Sequence, residues 1–138
     1  MVGIVVISHG DMAQGVLSAA SMLSPGSEQL TSLSLYPEDN PDDYQQKLEE
    51  KIREVDSGDG VFILADMLGG TPCNRAMYSL GEKTRMLTGL SLPMLCSLLA
   101  IREEGADIAS IAKEVMAEAK EGMVDVNELT KKEGLIHD

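Results

Sequence analysis

His9 is the residue in this sequence best placed to act as a nucleophile. It stands, after Ser8, at the end of residues 4–7, an apolar Ile-Val-Val-Ile run of the kind that forms buried parallel strands. A helical pattern begins just after it. Ligands of open α/β sheets bind beyond the carboxyl ends of such strands, beside helix N-termini that attract anions. This position therefore favours a phosphoryl group as ligand.

A second apolar run, residues 61–65, ends at Asp66. The carboxyl ends of parallel strands share one edge of a sheet, so we expect Asp66 and His9 to meet there. A carboxylate bound to one ring nitrogen fixes the tautomer of an imidazole and stabilises the positive charge that the ring gains on reaction. The sequence thus predicts a histidine nucleophile oriented by Asp66.

Further residues beside these strand ends are candidates for binding the phosphoryl oxygens. We expect the amides after Gly10 and after Gly70 to serve, together with the Thr71 hydroxyl. With these donors, no metal ion and no cofactor is expected. The two cysteines, Cys73 and Cys96, form no C-x-x-C pair, which indicates neither a metal site nor a disulfide framework.

Strand and helix patterns alternate along the chain. Strands are predicted at residues 4–7, 30–35, 61–66 and 85–88, and helices at residues 11–23, 40–55, 71–80, 93–102 and 107–121. Asp11, Asn40 and Thr71 are the expected N-caps of the first three helices. Such alternation predicts right-handed crossovers and a mostly parallel sheet, and the Ser/Thr-rich second strand is expected near an edge.

The C-terminal part of the chain has a different pattern. Residues 122–127 alternate apolar and polar side chains, which is typical of a short edge strand. Residues 128–138, which include His137, are expected to form a charged, frayed tail. The sequence therefore predicts a single doubly wound α/β domain over residues 1–127. It has a mostly parallel four-stranded sheet, helices on both faces and a C-terminal edge strand.

Charge and composition limit the classes of partner. The chain has 138 residues, 43% of them hydrophobic, and a net charge of −12. A chain of this size forms one domain with its own core. Its acidity argues against nucleic acid and against an anionic membrane surface as partners, and favours a basic protein. No basic N-terminal region and no membrane-spanning run is seen, so a cytoplasmic protein is expected.

Three segments together resemble a known family. They are Ser8-His9-Gly10, Asp66 with the Gly-Gly-Thr-Pro-Cys-Asn run at residues 69–74, and residues 89–95. The combination is similar to the enzyme IIA domain of the mannose-type (mannose/fructose/sorbose) sugar phosphotransferase system. The likeness extends to about residue 126, and the Gly-Gly-Thr-Pro-Cys-Asn run is its most specific part.

The resemblance implies a function and a set of partners. His9 would accept phosphate from the phosphocarrier HPr and give it to a IIB component, with Asp66 supporting the histidine. The IIB component phosphorylates a sugar that crosses the membrane through IIC and IID partners. Since no Ala/Pro-rich linker follows the domain, we expect IIB to be a separate chain. The resemblance also implies a homodimer, in which residues 123–126 are the antiparallel strand exchanged between subunits.

Four other functions compete with this one. The phosphotransfer subunit of a dihydroxyacetone kinase shares the fold and the histidine. The Gly-Gly-Thr-Pro-Cys-Asn run, however, favours the IIA domains of sugar phosphotransferase systems. A receiver phosphorylated on Asp66 would need a cluster of acids near the first strand, where the sequence offers Asp11 alone. A histidine phosphatase would have arginine at the position of Ser8. A phosphorylation-dependent binding module without a transport role stays open.

Overall fold

The computed structural model describes residues 1–103, 107–132 and 134, and strands and helices alternate along it. In chain order the elements are β1 (Gly3–His9), α1 (Met12–Leu23), β2 (Leu30–Leu35), α2 (Pro41–Val55), β3 (Val61–Ala65), α3 (Gly70–Ala76), β4 (Thr84–Thr88), α4 (Leu92–Ile101), α5 (Ile108–Glu121) and α6 (Val126–Lys132). A 3-10 turn, Met77–Ser79, follows α3. The predicted order of elements is confirmed as far as α5.

The four strands form one parallel sheet in the order β2-β1-β3-β4. Every residue of β3 is buried, and so is β1 apart from its last residue, as their continuous apolar sequences predict. β2 is an edge strand, also as predicted. The chain leaves β1 toward one side for β2 and returns to the other side for β3. The carboxyl ends of β1 and β3 therefore flank the point where the winding direction changes, which is the usual ligand position in such sheets.

Helices cover both faces of the sheet, so the doubly wound prediction is confirmed. Alternate residues of each central strand point to opposite faces. On one face Ile4 and Val6 of β1 belong to a core with residues of α1, α4 and α5. On the other face Val5 and Ile7 pack with Leu48 and Val55 of α2 and with part of α3. These two apolar layers hold the strand ends in fixed positions.

The helix starts follow the predictions only in part. Asn40 caps α2 as expected, because its side chain accepts hydrogen bonds from the N–H groups of two residues in the first turn. Asp11 makes no side-chain cap on α1: its backbone, at φ −82° and ψ 1°, is not extended as a capping residue usually is. The buried Ser8 hydroxyl instead accepts from Ala13 N–H at 2.8 Å. Thr71 is not a cap either, since α3 already begins at Gly70.

The predicted C-terminal edge strand is not formed within the described part of the single chain. Residues 123–125 pair with no strand in the described ranges, and Val126 begins α6. The Asp125 carboxylate accepts from Glu128 N–H at 3.3 Å. An acceptor followed three residues later by glutamate is a capping-box spacing, and this helix start outweighs the alternating pattern. His137 lies outside the described residues, and the domain limit at residue 127 stays a prediction.

Within the described part of the chain, every helix is too short or too polar to cross a membrane.

Ser8→Ala should lower the free energy of unfolding by about 1–2 kcal/mol, because it removes the buried acceptor of Ala13 N–H. Urea denaturation measures this change. Ser21→Ala is the control: Ser21 lies within α1, the helix that Ser8 caps, its side chain is exposed, and its replacement should change stability by less than about 0.5 kcal/mol. Equal, small effects of the two substitutions would show that Ser8 does not cap α1.

Candidate functional site

The register of the sheet brings His9 and Asp66 to the same edge. Ile7 of β1 pairs with Ala65, the last residue of β3. β1 then continues to His9, which pairs with Leu35 of β2. Asp66 directly follows β3. It lies beside Ser8 and His9, the two residues by which β1 extends beyond the end of β3. The site lies at the carboxyl ends of β1 and β3, as the sequence predicts, and these ends flank the point where the winding direction changes.

Asp66 binds both the backbone and the side chain of His9. Its Oδ2 atom accepts from His9 N–H at 2.9 Å and lies 2.7 Å from the ring Nδ1. Its other oxygen, Oδ1, accepts from Met67 N–H at 2.9 Å. The Asp66 side chain is only 11% exposed, whereas that of His9 is 47% exposed. The expected contact is therefore present, with a fixed carboxylate and an accessible imidazole.

These contacts determine which ring nitrogen is free to react. Burial raises the pKa of the Asp66 carboxyl, but hydrogen bonds from the His9 backbone and ring and from Met67 outweigh it, so that the pKa lies below its ordinary value. The carboxyl is thus ionised at neutral pH and can only accept, so Nδ1 carries the proton in a neutral ring. The lone pair of the neutral imidazole is then on Nε2, which makes Nε2 the nucleophilic atom.

Gly70 lies against the imidazole ring on the side of Nε2. A Cβ atom at this position would be 2.8 Å from Cε1 and 3.1 Å from Nε2 of His9. Its φ of +78° is also one that residues with side chains rarely adopt. Glycine is therefore required here by the ring contact, which the sequence interpretation did not foresee. The role of Gly70 in binding phosphoryl oxygens stays a prediction.

An open depression of about 370 Å³ lies in front of the histidine. Of the residues predicted from sequence, His9, Gly10 and Thr71 line it, and the rest of its wall comes from the β2–α2 connection at Leu35, Tyr36, Pro37, Asp39 and Pro41. Most of these wall residues are apolar. The depression is large enough for a phosphoryl group together with side chains of a partner protein.

Sequence reasoning missed two polar residues of this edge. Ser8 ties the strand end to α1, as described above, and also donates to Gly10 C=O at 3.3 Å. Tyr36 donates its hydroxyl to Asp11 Oδ1 at 2.6 Å. The one available signal was the position of Tyr36 directly after β2, at the same edge as His9.

A metal site is not formed by the described residues: no three His, Cys, Asp or Glu side chains among them are grouped so that they could hold an ion. Cys73 is buried, and Cys96 is partly buried. Both are free thiols.

Comparison with known proteins gives consistent matches. The family model of the PTS system fructose IIA component, EIIA-man, matches residues 3–116. The PTS fructose-specific EIIA component of Bacillus subtilis is 26% identical over 105 residues, which is 75% of this chain and 72% of that protein.

Two further proteins extend these matches. The PTS mannose-specific EIIAB component of Escherichia coli is 26% identical over 124 residues, or 88% of this chain. The match spans only 38% of that longer protein. A crystal structure of the PTS IIA protein associated with the fucose utilization operon of Streptococcus pneumoniae has a TM-score of 0.83 and 26% identity, covering 92% of this chain and 94% of that one.

The family model thus spans most of the chain, including both strand ends that form the site. The protein therefore belongs to the mannose-type IIA (EIIA-man) family of the phosphotransferase system.

Proposed function

We propose that the protein is a phosphoryl carrier of a sugar phosphotransferase system. His9 accepts the phosphoryl group from phospho-HPr and passes it to a IIB component on a separate chain, which phosphorylates a sugar that enters through IIC and IID. The observation that carries this proposal is the 2.7 Å contact between His9 Nδ1 and Asp66. It fixes the proton on one nitrogen and leaves the other as a nucleophile at an open depression.

The transfer itself is a substitution at phosphorus. The Nε2 lone pair of His9 attacks the phosphorus of the donor phosphohistidine and forms a new N–P bond. The donor's P–N bond breaks, and its imidazole leaves with the electron pair. The His9 ring becomes positively charged, and the Asp66 carboxylate on Nδ1–H stabilises that charge. In the second transfer a nucleophilic side chain of the IIB component forms a bond to phosphorus, the Nε2–P bond breaks, and the electron pair returns to Nε2.

Three residues are proposed to bind the phosphoryl oxygens. Gly10 and Thr71 line the depression with His9, and the missing side chain of Gly70 lets its backbone approach Nε2. The Thr71 hydroxyl supplies one donor and backbone amides supply the others, so the transfer needs no metal ion or cofactor.

Exposed apolar side chains surround the two strand ends. Met12 follows the β1–α1 turn, and Met67 and Leu68 directly follow Asp66; all three are exposed. We propose that they form the apolar part of the surface on which HPr and the IIB component dock in turn. The net charge of −12 favours encounter with basic surfaces. A cytoplasmic location is part of this proposal, since it rests on exchange with these partners.

A receiver-type reaction at Asp66 itself is less well supported. Both carboxylate oxygens accept hydrogen bonds from the chain, and one of them accepts two. A nucleophilic carboxylate needs an accessible oxygen, whereas the Asp66 side chain is only 11% exposed and that of His9 is 47% exposed.

We further propose that the protein is a homodimer. Met123, Val124 and Val126 are exposed near the C-terminus, Met123 by 85%, and a second subunit would remove their apolar surface from water. Exchange of residues 123–126 as a strand requires them to leave the conformation of the single chain, in which Val126 begins α6.

Light scattering of the full chain should give twice the chain mass of 14.8 kDa. A chain ending at residue 121 should be monomeric or insoluble, because the apolar segment that joins the subunits is missing. A monomeric mass for the full chain at micromolar concentration would contradict the dimer.

Phosphate from phosphoenolpyruvate, supplied through enzyme I and HPr, should label His9. The modification is expected to be acid-labile and alkali-stable, as phosphohistidine is, and peptide mapping locates it. His9→Ala should abolish the label, whereas His137→Ala, the other histidine of the sequence, should retain it. Label that persists in His9→Ala would refute the assignment.

Asp66→Asn should slow transfer by about 10²-fold or more, because the ring loses the carboxylate that fixes its tautomer and stabilises its charge. His9 should still be the labelled residue. Single-turnover kinetics give the rate, and ¹⁵N NMR of the ring should show a smaller share of the Nδ1–H tautomer. Asp43→Asn, at an exposed carboxylate of α2, is the control and should leave both unchanged. An unchanged rate and tautomer in Asp66→Asn would show that the pair has no role.

The same substitution has a signature in the pH dependence of stability. The pKa of Asp66 lies below 3.8 in the folded chain, so its ionised form stabilises the fold fully above that pH. This contribution is lost as the pH falls below 3.8 through the lowered pKa. The stability difference between the parent and Asp66→Asn should therefore be largest at neutral pH and shrink in that acid range.

A further inference from the structure

The Asp11 carboxylate lies two residues after the nucleophile but does not bind the helix that it precedes. Aspartate before a helix normally accepts hydrogen bonds from the amides of the first turn. Here the Ser8 hydroxyl binds Ala13 N–H from the strand side, and Asp11 makes no side-chain cap. Its Oδ1 atom instead accepts from the hydroxyl of Tyr36 at 2.6 Å.

Tyr36 is itself held in place by its neighbours. Its N–H donates to Asp39 Oδ2 at 2.8 Å, and its C=O accepts from Asp39 N–H at 3.0 Å. One residue earlier, Leu35 C=O accepts from Gly10 N–H at 2.7 Å. The β2–α2 connection is thus held by its own hydrogen bonds. The β1–α1 turn is bound to it at two points, through Gly10 N–H and through the Asp11 carboxylate.

The position of Asp11 matters because of the charge that His9 would receive. Tyr36 and Gly10 line the same depression as His9, so a phosphoryl group on Nε2 would lie in the depression that Tyr36 borders. The N-terminus of α1 beside it favours an anion. A carboxylate released into this region would compete with the phosphoryl oxygens for that position and would repel them.

We propose that Tyr36 is a positioning residue for phosphoryl transfer, whose hydroxyl holds the Asp11 carboxylate away from the phosphoryl group on His9. The inference rests on the proposed function in that His9 is the residue phosphorylated. The hydrogen bond to Asp11 also raises the pKa of Tyr36. The phenol therefore keeps its proton, and with it the bond, at neutral pH.

A chemical phosphoryl donor tests this inference without a partner protein. With potassium phosphoramidate, Nε2 of His9 attacks phosphorus, an N–P bond forms, and the P–N bond of the reagent breaks to release ammonia. The rate of His9 phosphorylation is followed by ³¹P NMR in the full chain and in Tyr36→Phe, Asp11→Asn and the double variant. Tyr78→Phe, at an exposed tyrosine outside the depression, is the matched control.

Tyr36→Phe should slow the reaction by about three- to tenfold, the scale of coupling between residues in contact. Asp11→Asn should react at least as fast as the parent, because the repelling charge is gone. The double variant should then regain the Asp11→Asn rate, and Tyr78→Phe should match the parent. If Tyr36 only supports the fold, the double variant stays as slow as Tyr36→Phe, and the inference is overturned. An unchanged rate in Tyr36→Phe overturns it as well.

The hydrogen bond is tested separately by ¹³C NMR titration of the tyrosine ring, with the Tyr36 signal assigned from the Tyr36→Phe spectrum. Asp11→Asn should lower the pKa of Tyr36, because it removes the carboxylate whose hydrogen bond raises that pKa. No change in this pKa would show that the bond does not form in solution.

If His9 reacts with phosphoramidate but not with phospho-HPr, the proposed function fails while the rate comparison still stands. Failure of His9 to react with either donor overturns both.

Discussion

The bond between the Asp66 carboxylate and His9 is the interaction on which the site depends. A largely buried carboxylate is tolerated only with hydrogen-bond donors around it, and here three N–H groups supply them. Two of these belong to His9, so the backbone and the ring of that residue are fixed by one oxygen atom. The bond requires β1 to extend beyond β3, and it requires glycine at position 70, where a side chain would meet the ring.

Hydrogen bonds fix the carboxylates around the site at which we propose that a phosphoryl group is received. Asp66 is fixed by three N–H donors and orients the His9 ring. Asp11 and Asp39 both bind Tyr36, one through its hydroxyl and the other through its N–H. The carboxylates of Asp11 and Asp39 are thus fixed by hydrogen bonds, while half of the residues that line the depression are apolar or glycine: Gly10, Leu35, Pro37 and Pro41.

Much of the fold and the central pair could be predicted from the sequence, because their signals are local. The buried strands are continuous apolar runs, and His9 and Asp66 stand visibly at their ends; the family likeness is confirmed by the matched residues 3–116. The predictions failed where the structure depends on a hydrogen-bond partner that competes with the predicted one or lies far away in the sequence. Ser8 replaced Asp11 as the cap of α1, a helix start at Asp125 replaced the late strand, and Tyr36 reaches Asp11 from 25 residues away. Neither spacing nor periodicity reports a contact of that last kind.

The most direct test is to identify which ring nitrogen carries phosphorus after His9 has been phosphorylated. Two-dimensional ¹H–¹⁵N spectra of uniformly ¹⁵N-labelled protein distinguish Nδ1 from Nε2 by their chemical shifts and by coupling to ³¹P. Because Asp66 occupies the Nδ1 side, phosphorus should be found on Nε2, with Nδ1 still protonated and facing the carboxylate. Phosphorus on Nδ1 would mean that the bond to Asp66 breaks before transfer, which contradicts the central role assigned to that bond.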